Sequence, residues 1–226
     1  SLHGIEVHVG SQILDLEPFR EAFVKTKQML NTLKDNGVLI QTVDVGGGLG
    51  VAYKTDETAP SPADYIAVLQ DVLGDFGGEF VFEPGRCLSG DAGMLVASVV
   101  RVKQTGEKSF AVLDAGMNDL VRPAMYDAYH NMVAVKGGKA VKKYDVVGPI
   151  CESADIFGKD RMLPELNEGD LVAIETAGAY GATMSSNYNG RPLAAEVLVD
   201  GDRYAVIRRR QTVAEMMSLC QPAPWV

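Results

Sequence analysis

The sequence predicts two segments of different fold class, an α/β segment followed by a β-rich segment. Up to Phe82, runs with strand and helix periodicity alternate in the order βαβαβ, whereas beyond Gly90 the apolar runs are almost all strand-like. Because strands joined by helices pair in parallel through right-handed crossovers, residues 1–92 are expected to form a parallel sheet. Residues 93–226 are expected to be mostly antiparallel, with the division near residues 90 to 95.

The elements of the first segment follow from local signals. Apolar residues recur at helical spacing between Pro18 and Lys34, and Asn36-Gly37 after them is a typical helix C-terminus. A second helix is expected around Ala63 to Leu73, starting near Ser61. Strands are expected at Ile5–Val9, Ile40–Val45 and Phe80–Phe82.

In the second segment, glycine-rich or charged turns separate strand-like runs. Lys136-Gly137-Gly138-Lys139 and Asp200-Gly201-Asp202 are turns of this kind. The predicted strands are Met94–Lys103, Ser109–Leu113, Met132–Val135, Lys143–Val147, Asp170–Glu175, Glu196–Val199 and Arg203–Arg209. The density of these runs predicts a second, β-rich domain.

Composition and charge argue against several classes of protein. The 226 residues include 21 basic and 30 acidic side chains, and the resulting net charge of -9 would repel a nucleic-acid backbone. No apolar run approaches the roughly 18 residues that a membrane span needs. Cys87, Cys151 and Cys220 lack the spacing of metal ligands, which favours free thiols and a cytoplasmic location. We therefore expect no metal, nucleic acid or membrane as a partner.

Three motifs follow the predicted strands of the first segment: His8-Val9-Gly10-Ser11, Gly46-Gly47-Gly48-Leu49-Gly50 and Glu83-Pro84-Gly85-Arg86. Their even spacing predicts that they lie side by side at the sheet edge where parallel α/β folds hold their active sites. The glycines let backbone N–H groups approach a phosphate, and Glu83 can pair with a protonated ring nitrogen. Taken singly, each motif also has a structural interpretation, as a tight turn, a salt bridge or a structural histidine.

The second segment carries further clusters of chemically capable side chains. Arg122-Pro123-Ala124-Met125-Tyr126 contains an arginine and a tyrosine, both able to hold a carboxylate. Gly148-Pro149-Ile150-Cys151-Glu152-Ser153 places a thiol that can donate a proton beside a carboxylate that can bind an amine. Gly178-Ala179-Tyr180 and the polar segment Ser185–Pro192 follow, and a surface-loop role is reasonable for both.

In this order, the motifs closely resemble those of the diaminopimelate decarboxylases, pyridoxal-phosphate enzymes with an alanine-racemase-like fold. The resemblance covers essentially the whole chain. It implies that residues 1–92 are the last βα units of a (β/α)8 barrel and that residues 93–226 form a β-rich, β-barrel-like domain. It also implies pyridoxal 5'-phosphate as cofactor, an amino-acid substrate, L-lysine as product and a homodimer with the active site at its interface.

The resemblance further assigns roles to individual residues. It implies that His8 stacks on the pyridine ring of the cofactor, that Glu83 pairs with the ring nitrogen, and that Cys151 of the neighbouring subunit returns a proton to Cα. The other cofactor contacts implied are Ser11, Gly48, Gly85, Arg86 and Tyr180. The substrate contacts implied are Arg86, Arg122, Tyr126, Tyr180 and, for the distal amino group, Glu152.

One departure from the family concerns the Schiff-base lysine, which the family carries after an early barrel strand. No lysine of this chain has such a position, and Ser1 begins close to the first strand without a methionine. We therefore expect that an upstream half is missing and that this chain is inactive alone. Two alternatives stay open: a related decarboxylase for ornithine, arginine or carboxynorspermidine, and a non-catalytic fragment that acts as an interaction module.

Overall fold

The computed structural model describes residues 2–225, and the chain divides into two compact units between Ala92 and Gly93. The elements of the first unit are β1 (Gly4–Glu6), α1 (Glu17–Asp35), β2 (Thr42–Asp44), α2 (Pro62–Leu73), β3 (Glu79–Val81) and α3 (Arg86–Ser89). Strand β2 lies between β1 and β3 and pairs with both in parallel. The predicted βαβαβ order and the parallel sheet are therefore confirmed.

Helix α2 starts beside Ser61, as the sequence predicts, and Pro62 is its first residue. Its N-cap is Ser61, whose side chain accepts a hydrogen bond from the backbone of Asp64, while the Asp64 carboxylate accepts one from the backbone of Ser61. This capping box satisfies two backbone donors at once, and Pro62 suits the first helical position because no donor is needed there.

Among the described residues, no helix combines the length and the apolar content that crossing a bilayer requires.

An aromatic cluster forms the centre of the first unit. Phe19 and Phe23 of α1 meet Tyr65 of α2, and the Phe19 and Tyr65 rings pack edge to face with centroids 4.9 Å apart. The Tyr65 hydroxyl donates to the carbonyl of Val45 at 3.3 Å, and burial raises the pKa of Tyr65 to about 12. Both helices are thereby attached to the end of β2, directly before the glycine loop.

The second unit is built mainly from strands. Its elements are β4 (Leu95–Thr105), β5 (Lys108–Leu113), α4 (Arg122–Tyr126), β6 (Met132–Ala134), β7 (Lys142–Val147), β8 (Ile156–Leu163), β9 (Leu171–Ile174), β10 (Glu196–Asp200), β11 (Arg203–Arg208) and α5 (Val213–Met217). Six strands form one sheet in the order β6-β9-β4-β5-β7-β8, and β10 and β11 form a separate hairpin. The two edge strands, β6 and β8, approach each other, so the sheet curls toward closure. The β-rich, barrel-like class is confirmed.

One strand of this sheet differs from the sequence-based expectation, whereas the mostly antiparallel pairing agrees with it. Strand β8 was not predicted, because Gly158, Lys159 and Asp160 interrupt its apolar pattern. The pairing of β7 with β8 shifts register near Tyr144 and Val146, which accommodates these residues. The sheet is antiparallel except where β5 pairs with β7 in parallel.

The core of the second unit contains one tyrosine that is completely buried. Tyr144 of β7 packs with apolar residues of the neighbouring strands, among them Leu113 and Phe157. Its hydroxyl accepts a hydrogen bond from the backbone N–H of Leu166 at 3.0 Å. This bond satisfies a buried donor in the connection between β8 and β9.

Replacing Tyr144 with phenylalanine should destabilise the second unit, because the buried N–H of Leu166 loses its acceptor. We expect the free energy of unfolding to fall by about 1–3 kcal/mol. Urea denaturation followed by circular dichroism measures this change. Tyr204→Phe, on a tyrosine that is 78% exposed in β11, is the matched control and should change the free energy by less than about 0.5 kcal/mol. Equal effects of the two substitutions would contradict the assigned role of the hydroxyl.

Candidate functional site

The three motifs of the first unit meet at one edge of the sheet, as their spacing predicts. The N–H of Gly47 donates to Nδ1 of His8 at 3.2 Å, and the N–H of Glu83 donates to the carbonyl of Gly46 at 2.8 Å. The N–H of Ile13 donates to the carbonyl of Gly48 at 3.0 Å. The loops that follow β1, β2 and β3 are therefore joined by hydrogen bonds.

Close backbone approach explains two glycines of this edge. A Cβ on Gly47 would lie 2.3 Å from the carbonyl oxygen of Glu83, and a Cβ on Gly48 would lie 2.3 Å from that of Gly10. Gly48 also has a φ of +102°, which side-chain-bearing residues rarely adopt. The glycine run therefore allows the three loops to pack closely, whether or not an anion binds to it.

The side chains at this edge fit pyridoxal phosphate, the cofactor implied by the resemblance. His8 is exposed, and the bond that its Nδ1 accepts from Gly47 fixes the direction of its ring. Glu83 is exposed two residues after β3, where its carboxylate can meet a cationic ring nitrogen. Gly48 and the backbone of Gly85 and Arg86 are the groups that would hold a phosphate. An imidazole face, a carboxylate and glycine backbone together match a planar, anionic ligand with a basic ring nitrogen.

Arg86 contacts two of the loops through its guanidinium. Nη1 donates to the hydroxyl of Tyr53, and Nη2 donates to Oγ of Ser11 at 3.2 Å. The guanidinium also lies 5.7 Å from the centroid of the Tyr53 ring. Tyr53 was not among the predicted site residues, and its one signal in the sequence is its position three residues after Gly50, the last glycine of the loop.

In the second unit, helix α4 orients its two predicted site residues differently. Arg122 is buried, whereas Tyr126 at the other end of the helix is 61% exposed. The Arg122 guanidinium donates to Nε2 of His130 at 2.9 Å, and His130 is itself completely buried. His130 was not among the predicted site residues, because no motif surrounds it in the sequence.

The turn that carries Cys151 and Glu152 is anchored by a buried carboxylate. Asp155 accepts hydrogen bonds from the backbone N–H groups of Ile150 and Met117, both at 2.7 Å. Burial raises the pKa of Asp155, and the two backbone bonds oppose that shift by stabilising the carboxylate. Cys151 and Glu152 are themselves exposed. The anchor therefore presents the thiol and the carboxylate on a turn whose base is fixed.

The polar segment Ser185–Pro192 supplies a direct partner for Glu152. The hydroxyl of Tyr188 donates to the Glu152 carboxylate at 2.8 Å. This bond raises the pKa of Tyr188, because ionisation of the phenol would place two negative charges side by side. Tyr188 lies within a segment that the sequence marks as a motif, but it was not among the predicted site residues.

Arg191 attaches the same segment to the loop that follows β5. Its Nε donates to Oδ1 of Asn118 at 3.0 Å, and its guanidinium also donates to the carbonyl of Asp114. A carboxylate oxygen of Asp119 lies 3.9 Å from the Arg191 guanidinium. Asn118 accepts a further bond at its carbonyl from the N–H of Ser186 at 2.9 Å. These contacts fix the loop that presents Tyr188.

Tyr180 lies in a tight loop after β9. Its φ is +57°, an uncommon value for a tyrosine, and its side chain is 43% exposed. The N–H of Ala177 donates to the carbonyl of Gly93 at 2.7 Å, and a Cβ on Gly181 would lie 2.2 Å from the carbonyl oxygen of Ala177. A strained backbone at a partly exposed tyrosine is typical of functional loops.

Comparison with known proteins places the chain in a family. Residues 13–178 match the family model described as pyridoxal-dependent decarboxylase, C-terminal sheet domain. The diaminopimelate decarboxylase of Zymomonas mobilis is 45% identical over 226 residues, which are 100% of this chain and 54% of that protein. The chain thus spans about half the length of the curated relatives it matches.

Solved structures give the same result. Diaminopimelate decarboxylase from M. jannaschii in complex with L-lysine matches with a TM-score of 0.95 and 36% identity, over 99% of this chain and 52% of that one. A lysine/ornithine decarboxylase from Vibrio vulnificus in complex with cadaverine matches with a TM-score of 0.75 and 28% identity, over 82% of this chain and 51% of that one. The chain belongs to the pyridoxal-dependent decarboxylase family, to which its sequence, its β-rich unit and its similarity to solved decarboxylases all assign it.

Proposed function

We propose that the protein containing this chain decarboxylates meso-diaminopimelate to L-lysine with pyridoxal phosphate as cofactor. The observation that carries this proposal is the pair Cys151 and Glu152, an exposed thiol beside a carboxylate that Tyr188 holds at 2.8 Å. A proton donor next to an amine-binding carboxylate suits a substrate with two amino groups. The higher identity to diaminopimelate decarboxylases than to the lysine/ornithine decarboxylase supports the same substrate.

We propose that the strand-end loops of the first unit hold the cofactor. When bound, pyridoxal phosphate supplies an electron-accepting ring that stabilises the electron pair left by departing carbon dioxide. Glu83 keeps the ring nitrogen protonated, because a carboxylate favours the cationic form of its partner. His8 packs against the ring, the glycine loop with Gly85 binds the phosphate, and Ser11 is a further contact that also orients Arg86.

The proposed roles in the second unit concern the substrate. Arg122 and Tyr126 bind a substrate carboxylate, a role also proposed for Arg86, and Tyr180 contacts both cofactor and substrate. Glu152 binds the distal ammonium group, and Sγ of Cys151 delivers a proton to Cα after carbon dioxide has left. We further propose a cytoplasmic homodimer in which the Cys151 turn serves the neighbouring subunit.

The similarity of this chain to a lysine/ornithine decarboxylase supports a second candidate function, the decarboxylation of a smaller diamino acid. Ornithine has one carboxylate where diaminopimelate has two, so an ornithine decarboxylase would need one fewer cationic side chain to bind its substrate. A substrate series therefore separates the two candidates.

The choice of substrate tests this proposal directly. We expect the full-length product of the gene that encodes this chain, purified with pyridoxal phosphate, to release lysine from meso-diaminopimelate. Carbon dioxide release from L-ornithine, L-arginine and L-lysine should be at background, measured by chromatography and carbon dioxide capture. Turnover of ornithine in preference to diaminopimelate would establish the second candidate and exclude the first.

Glu152 and Tyr188 should affect substrate affinity to different extents. Glu152→Gln removes the charge that meets the distal ammonium, and we expect kcat/KM for diaminopimelate to fall about 10- to 100-fold. Tyr188→Phe removes only the orienting hydroxyl, so KM should rise about 3- to 10-fold with kcat nearly unchanged. Tyr204→Phe is the matched control and should leave both constants unchanged. Steady-state kinetics in which Tyr188→Phe equals that control would contradict an orienting role.

Cys151 should affect the chemical step and leave affinity intact. We expect Cys151→Ala to lower kcat about 100- to 10,000-fold while KM changes little, because a positioned proton donor contributes a factor of that size. Cys220→Ala, at another exposed cysteine, should retain full activity. Equal kcat values for the two variants would assign the proton to a different donor.

A further inference from the structure

A completely buried histidine connects α4 to the end of β9. His130 lies between the guanidinium of Arg122, 2.9 Å from its Nε2, and the carbonyl oxygen of Glu175, 2.9 Å from its Nδ1. Neither contact is explained by the roles proposed above. An apolar side chain could fill the same volume, so the two hydrogen bonds need a separate explanation.

The chemistry of the two partners determines the form of this imidazole. A guanidinium has only donors, so Nε2 of His130 must accept, and it therefore carries no proton. A carbonyl oxygen has only lone pairs, so Nδ1 must donate to Glu175. His130 is thus a neutral imidazole with its proton on Nδ1, and both of its nitrogens are engaged. Through these two hydrogen bonds, the ring fixes the guanidinium of Arg122 relative to the backbone carbonyl of Glu175.

The carbonyl partner belongs to a well-fixed part of the sheet. Glu175 directly follows β9, which pairs with both β4 and β6. The N–H of Glu175 donates to the carbonyl of Asn131 at 2.9 Å, and the amide of Asn131 donates to the Glu175 carboxylate at 2.7 Å. The pair His130-Asn131 is therefore bound to Glu175 by three hydrogen bonds. The loop that carries Tyr180 continues from the same residue.

We propose that His130 is a positioning residue that aims the guanidinium of Arg122 at a substrate carboxylate, in register with the loop of Tyr180. This inference rests on the proposed function, in which Arg122 and Tyr180 contact the substrate. An arginine side chain has many rotamers, so a fixed acceptor reduces the entropy lost when it binds a carboxylate. A neutral acceptor orients the guanidinium without cancelling its positive charge, which an aspartate or glutamate at the same position would do.

Two substitutions of His130 test its two hydrogen bonds individually, because each substitution retains one bond and removes the other. The side-chain oxygen of glutamine reaches the place of Nε2, so His130→Gln retains an acceptor for Arg122. The side-chain amide of asparagine reaches the place of Nδ1, so His130→Asn retains the donor to Glu175 and loses the acceptor. Both are polar amides at the same buried position. Thermal melting of each variant and of the wild type reports whether each folds.

The test uses the full-length, cofactor-loaded protein in two assays. We expect His130→Asn to weaken L-lysine binding, measured by calorimetry, and to raise KM for diaminopimelate, each about 10-fold, with kcat changed less than about twofold. His130→Gln should lie within about threefold of wild type in both assays. In a double-mutant cycle with Arg122→Gln, the His130→Asn change should add no further loss, because its effect acts through Arg122. Crystal structures should show the guanidinium displaced in His130→Asn and in place in His130→Gln.

The outcomes distinguish the two proposals. Equal losses in His130→Gln and His130→Asn, additive losses with Arg122→Gln, or an unmoved guanidinium in His130→Asn would overturn the positioning role while lysine production by the wild type stands. A wild type that neither binds lysine nor forms it would overturn the proposed function. In that case the guanidinium positions in the two crystal structures still decide whether His130 holds Arg122.

Discussion

Close backbone packing at Gly47 and Gly48 is the constraint on which the candidate site of the first unit depends. Each glycine lies where a Cβ would come within 2.3 Å of a carbonyl oxygen on a neighbouring loop. Because the loops after β1, β2 and β3 approach this closely, His8 and Glu83 are brought to the same edge by backbone hydrogen bonds. The aromatic cluster around Tyr65 is attached to the same edge, because the Tyr65 hydroxyl donates a hydrogen bond to the carbonyl of Val45, directly after β2.

Polar contacts fix several loops of the second unit. Asp155 holds the base of the Cys151 turn, Arg191 holds the loop that presents Tyr188, and His130 connects Arg122 to the end of β9. Asp155 accepts hydrogen bonds from backbone N–H groups, Arg191 contacts Asn118 and Asp119, and His130 lies between the Arg122 guanidinium and the carbonyl of Glu175. Cys151 and Glu152 are exposed, on a turn whose base Asp155 fixes.

Much of the fold could be predicted because its signals are local. Asn36-Gly37 and Ser61 mark helix ends, and the alternation of strand and helix up to Phe82 indicates a parallel sheet. Strand β8 could not be found in this way, since Gly158 and Asp160 break its pattern and the register shift that accommodates them arises only on pairing with β7. Likewise, Tyr53, His130 and Tyr188 lie outside any motif with an assigned role, and their contacts join residues 33, 8 and 36 positions apart in the chain.

By itself, the sequence determined the βαβαβ order of the first unit, the family and the chemical types at the candidate site, because these reside in short runs such as the glycine loop and the Cys151-Glu152 pair. Tertiary structure decided which side chains are buried and which partners they have. Arg122 and Tyr126 occupy the two ends of one short helix, yet only Arg122 is buried and bound to a histidine. The reason is physical: burial and hydrogen-bond geometry depend on the packing of distant strands, whereas helix caps, turns and strand alternation depend on neighbours along the chain.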